Sequence, residues 1–130
     1  MKYAAFLLPL LLTSFQYSDS IDIELLHGVW VETEYANETY TFNRAKAFHK
    51  KKPGIEFKKG GKLLKRQNAG WCGTPPITYT NNEGSWSIEP DATLRLSYQF
   101  WGGTINTTWQ VQQLDRNTLE ARVLEFKTEK

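Results

Sequence analysis

Cysteine is almost absent from this 130-residue sequence: Cys72 is the single one, so no intramolecular disulfide framework can form. The fold must be held by a packed core instead. Histidine is nearly as scarce, with His27 and His49 alone. No Cys/His cluster has metal-ligand spacing, so neither metal nor cofactor is expected. Net charge is only +2, which gives the chain no overall polyelectrolyte character. No apolar run reaches the about 20 residues that a membrane-spanning helix needs. Catalytic groupings are lacking too. Cys72 with His27 or His49 is the one conceivable thiol–imidazole pair, and nothing in the sequence sets it within hydrogen-bond reach. A non-enzymatic protein is expected.

What is present begins with a leader. Lys2 gives a short positive segment, Ala4 to Leu12 is apolar, and polar residues follow from Thr13 to Ser20. That is the shape of a signal peptide, with Ser18 or Ser20 as small residues at the scissile position; an uncleaved anchor is the alternative. The expected division is a signal peptide over 1–20 and one domain over 21–130, secreted or periplasmic and not membrane-spanning after cleavage. In such a protein a lone thiol is best buried, since free Cys behaves as a small apolar residue. Aromatics are plentiful, with five Trp, six Tyr and seven Phe, and they let a short chain bury much apolar area.

The mature region alternates in the manner of strands. After a helical turn near Ile21–Leu26, Gly28 to Tyr35 reads as the first strand and Thr39 to Phe42 as a short second. Asn43 to Pro53 is basic, without clear periodicity, and reads as a loop. Gly54–Lys59 and Lys62–Gln67 flank Gly60-Gly61, which supplies the positive φ of a tight turn. Ala69 to Pro76 contains Pro75 and Pro76 and reads as a strand-free loop. Two hairpins of like layout follow: Gly84–Glu89 with Thr93–Phe100, then Ile105–Gln112 with Thr118–Phe126. Trp101-Gly102-Gly103 links them. Strands joined this tightly must pair antiparallel with their neighbours. The expected architecture is an all-β, antiparallel up-and-down meander barrel of seven to eight strands, whose closure removes unpaired edges.

Leu26-His27-Gly28-Val29-Trp30 resembles the Gly-x-Trp strand that opens lipocalins. Gly84-Ser85-Trp86-Ser87-Ile88, Asp91 with Thr93-Leu94, Trp109-Gln110-Val111 and Leu114 to Leu119 resemble the second half of small bacterial secreted lipocalin-like domains. The resemblance runs from residue 25 to residue 126. It implies that Gly28 and Trp30 pack one end of the barrel beneath an arginine from near the last strand, either Arg122 or Arg116. It also implies binding of a small, largely apolar molecule or an accessory role in the cell envelope. The chain is shorter than secreted animal lipocalins and shows no C-terminal helix, which leaves less room for a cavity. In a bacterial protein the glycosylation patterns at Asn37 and Asn106 are chance matches.

Within that frame Phe57, Trp86, Tyr98, Trp109 and Val111 either line a pocket or simply pack the core. Trp71 and Trp101 sit beside glycines in loops and either stack on sugars or cap the barrel. Glu32 and Glu34 are expected on one solvated strand face. Ten of the sixteen basic residues lie between Arg44 and Arg66, against the single acid Glu56. This stretch suits an anionic surface or polysaccharide. Its poor aromatic interleaving argues against nucleic acid.

Overall fold

The computed structural model describes residues 21–69 and 78–130. Residues 1–20, expected to be a signal peptide, and residues 70–77, where a strand-free loop with Trp71 and Cys72 is expected, lie outside the described residues. Asp22 opens the first element: its carboxylate accepts the backbone N–H groups of Glu24 (3.0 Å) and Leu25 (3.4 Å). This cap starts the one-turn helix α1, Ile23–Leu26. Eight strands follow: β1 Gly28–Ala36, β2 Thr39–Ala45, β3 Gly54–Lys58, β4 Lys62–Asn68, β5 Tyr79–Glu89, β6 Thr93–Phe100, β7 Gly103–Leu114 and β8 Thr118–Glu129. They form a closed antiparallel barrel in the order β1-β2-β8-β7-β6-β5-β4-β3.

From β3 to β8 each strand pairs with its successor in sequence. The first hairpin is set into the ring the other way round, with β1 beside β3 and β2 beside β8. Residues 46–53 therefore cross β1 to reach β3. The crossing is held closely: Arg66 donates from Nε to His49 O and from Nη2 to Lys50 O, both at 3.0 Å. The Phe48 ring lies against Gly54, where an added Cβ would stand 2.6 Å from Trp30 O and 3.1 Å from the ring. Glycine is required there by space.

Several strands outrun their sequence signal. Asn43–Ala45, expected in a loop, continues β2, and β5 starts at Tyr79 rather than Gly84. β8 runs past Phe126 to Glu129. Turn chemistry is partly glycine-borne, with Gly60 (φ 79°) and Gly61 (φ 76°) at the β3–β4 turn. Two other tight hairpins use Asn37-Glu38 and Asp91-Ala92, all at positive φ. Only Asn and Asp among these adopt that conformation at low cost. The Asp115 carboxylate organises the last turn by accepting the N–H groups of Asn117 and Thr118, both at 2.8 Å.

Alternation points Trp30, Phe42, Ile55, Phe57, Leu63, Leu94, Leu96, Trp109 and Leu119 inward, where all are buried. Each such side chain stabilises the fold by about 1.5–3 kcal/mol. One end of the barrel carries α1, the β3–β4 turn, the β5–β6 turn and the β7–β8 turn. The opposite end carries the β1–β2 turn, the β6–β7 turn and the last residues of β8. We call the first the closed end and the second the open end.

Candidate binding site at the open end of the barrel

The closed end is sealed by Trp30. Its indole Nε1 donates to Leu26 O at 2.9 Å, tying α1 across the base. The Arg44 guanidinium lies over the indole, 4.2 Å from the ring centroid. It also gathers three backbone carbonyls: His27 O at 2.9 Å, Arg116 O at 2.6 Å, and Leu25 O. Gly28 has φ 123°, and an added Cβ there would sit 2.8 Å from Arg44 Nη1. Both conformation and space thus require glycine at the start of β1. The arginine over Trp30 is Arg44 of β2, not Arg122 or Arg116. Arg122 is exposed on β8, and Arg116 contributes only its carbonyl. A planar fork with a fixed charge suits this post, because it stacks and reaches several acceptors at once.

Above this base the core is solid. Phe57 meets Trp86 edge-on at 5.5 Å, and Trp109 lies 5.8 Å from Phe42 and 5.1 Å from Tyr40. Phe57, Trp86, Tyr98 and Trp109 are all buried, and Val111 is half-buried against them. Phe57, Trp86, Tyr98 and Trp109 thus belong to the packed core, and Val111 flanks it from the side. Trp86 Nε1 is further committed to Lys58 O (3.1 Å) and Lys62 O (2.7 Å).

Towards the open end the interior changes character. Lys65 pairs across the hairpin with Ile55, whose side chain is fully buried, and so faces inward. It is only 5% exposed. Its Nζ donates to Arg66 O at 3.3 Å and lies 5.8 Å from the Tyr98 ring centroid. No carboxylate of the described residues comes within ion-pair distance of it. Glu32 is near enough to act on it through space: burial holds the Lys65 amine down at about 8, and Glu32 opposes that shift. Burial likewise raises Glu32 above the usual carboxylate range, with Lys65 pulling the other way. Tyr40 is pushed up to about 12, first by burial and then by Glu32. Tyr98 is raised for the same leading reason, with Tyr40 and Glu32 adding to it.

Glu32 corrects the expectation of a solvated acidic face. The β1–β2 register shifts between Glu32 and Glu34, so Glu32 opposes Phe42 and Glu34 opposes Thr41. That bulge at Thr33 reverses the alternation. Glu32, before the bulge, turns into the barrel on the face of Trp30 and Phe42, while Glu34, beyond it, stays exposed. Above them the rim is apolar. Tyr35 stacks near Tyr40 (4.5 Å) and is half exposed, and Phe126, across from buried Thr107, is 52% exposed on the interior side. Trp101, in the β6–β7 turn, is 58% exposed and meets Phe100 edge-on at 5.4 Å.

The remaining candidates are dispersed. His49 is spent on the crossing, its Nδ1 accepting the N–H of Lys51 at 2.9 Å, and His27 packs edge-on to Trp86 at 6.0 Å. The lysines from Lys46 to Lys62 are exposed. Among the described residues the ion pairs are Arg95–Glu89 and Lys127–Glu125, so none of those lysines is neutralised. Grooves on the outer wall are open and mixed in character; one of about 350 Å³ runs over Ser85, Ser87, Ser97 and Asn106 and touches Trp86 and Leu96. Compared with known proteins, the chain matches no family model, no curated protein and no solved structure. The likeness to lipocalins thus stands at the level of an eight-stranded antiparallel barrel opened by Gly28-Val29-Trp30.

Lys65 and Glu32 are the residues that sequence reasoning missed. Pairing the hairpin outward from Gly60-Gly61 matches Phe57 with Leu63 and Ile55 with Lys65, which would have pointed Lys65 inward. Alternation from inward Trp30 would likewise have pointed Glu32 inward; what no signal marks is the bulge at Thr33, which sends Glu34 to the other side.

Proposed function

We propose that this protein is a non-enzymatic, exported, lipocalin-like carrier that takes a small, largely apolar molecule at the open end of its barrel. The anchoring point is Lys65. An ammonium buried without an ion-pair partner is costly, and a partner group that reaches it recovers much of that cost. A ligand with an anionic head can serve as that partner, its apolar body lying against Tyr35 and Phe126 at the rim. Tyr40 and Tyr98, held in their neutral form, can donate hydrogen bonds to the same head. The packed floor at Trp109 limits how deep the ligand goes, so the molecule is short and sits near the mouth. A second reading is a surface module for carbohydrate or the cell envelope. It rests on the exposed Trp101 and the unneutralised lysines between Lys46 and Lys62.

Calorimetric titration with decanoate and with decanol separates these readings. The native protein should bind decanoate more tightly than decanol. Lys65→Met should weaken decanoate at least about tenfold, equivalent to about 1.4 kcal/mol, and leave decanol little changed. The same substitution should raise the melting temperature of the unliganded protein, since it removes a buried charge. Absence of saturable binding of either probe, or equal loss of both in Lys65→Met, would remove the basis for a carrier.

A further inference from the structure

The outer margin of β8 at the open end is unpaired. Val123 N donates to Glu38 O at 2.8 Å, the last bond that joins β8 to the β1–β2 hairpin. Beyond it β8 continues to Glu129 with β7 alone beside it among the described residues. Residues 124–128, Leu-Glu-Phe-Lys-Thr, therefore present free backbone donors and acceptors on one side. Leu124 and Phe126 in this stretch are 49% and 52% exposed. Such a margin invites another strand.

The sequence of the stretch indicates which strand. We infer that β8 pairs with β8 of a second copy, antiparallel, about a twofold axis at Phe126. In that register Glu125 of each copy faces Lys127 of the other, giving two opposite-charge pairs. Leu124 faces Thr128, and the two Phe126 rings form a cross-strand aromatic pair. A twofold axis at Glu125 would set that carboxylate against its own copy, and one at Lys127 would do the same with two ammonium groups. The free stretch is itself centred on Phe126. Charges on an exposed strand ordinarily keep chains apart, but here their signs alternate about the centre. Glu125 and Lys127 at present reach each other along the strand at 3.6 Å, both well exposed, so exchanging partners costs little.

Sedimentation equilibrium tests this, from about 10 µM to about 1 mM, the range in which a small strand-to-strand interface associates. The native protein should shift from monomer to dimer. Glu125→Lys and Lys127→Glu should each weaken self-association at least tenfold while keeping the native circular dichroism spectrum. The double reversal should restore it, because it recreates the same pairs with signs exchanged. Mixing the two single variants should produce a heterodimer that neither forms alone. A native protein that stays monomeric throughout, or single reversals that associate as well as the native chain, would overturn the inference. Association that ignores all charge changes and is lost on deleting residues 1–20 would also overturn it, assigning the margin to the leader segment.

Discussion

The two ends of this barrel use the same residue types to opposite effect. At the closed end a cation, Arg44, lies over an indole and donates to three carbonyls, so its charge is satisfied from every side. At the open end a cation, Lys65, is buried deeper and has one carbonyl and the edge of an aromatic cluster. The first arrangement stabilises the fold; the second costs stability and leaves the ammonium incompletely bonded. Where a charge is fully bonded it holds structure together, and where it is buried but incompletely bonded it is the better candidate for function.

The sharpest way to break the comparison is at Trp30. Trp30→Ala should destabilise the protein by about 3–5 kcal/mol, a large share of the about 5–15 kcal/mol available to a domain. Urea denaturation followed by tryptophan fluorescence measures it, and a change under about 1 kcal/mol would show that the base does not anchor the fold. Arg44→Met comes next. It keeps much of the stacking volume but leaves three carbonyls without their donor, and should cost about 2–3 kcal/mol. Hydrogen exchange should then accelerate first at α1 and the start of β1, which Arg44 binds through Leu25 and His27.

The smallest effect is on pH dependence. The Lys65 amine sits at about 8 in the folded protein against 10.5 for an ordinary lysine. Between those values the unfolded chain binds more protons, so stability should rise with pH. The gain from pH 8 to pH 10 should be on the order of 1–3 kcal/mol and vanish in Lys65→Met. Above pH 10 the trend should reverse. Tyr40, raised from 10.0 to about 12, then keeps its proton in the folded state while the unfolded chain loses it, and Tyr98 acts in the same sense.

The sequence reveals the closed end more readily than the open one, for physical reasons. Trp30 stands in a short pattern with a glycine that its neighbourhood demands. The repeated layout around Trp86 and Trp109 exposes the period of two that strands impose. Arg44 was hidden because it lies at the start of a basic run, where a solvated face is the ordinary reading. Glu32 was hidden by its companion Glu34: two residues after inward Trp30 it shares that face, but the two acids read together as a solvated pair, and nothing in the sequence marks the bulge at Thr33 that sends Glu34 outward. The placement of β2 between β1 and β8 was hidden as well, since residues 46–53 carry no periodic signal to say which neighbour comes next. Alternation reports the faces of strands; it does not report their order in the ring.

The inverted first hairpin bears on how the protein is made. β2 ends at Ala45, yet its second neighbour begins at Thr118. A chain emerging from its N-terminus can zip β1, β2 and β3 early. The cylinder cannot shut until the final strand arrives. Bringing such distant segments together adds only modest entropy, which grows with the logarithm of the separation, but it delays a contact on which the whole interior depends. Until then β2 offers a bare margin and the aromatic interior stays wet. The slow step in folding should therefore be the late docking of β8, and shortening the chain at its C-terminus should trap an open, aggregation-prone sheet.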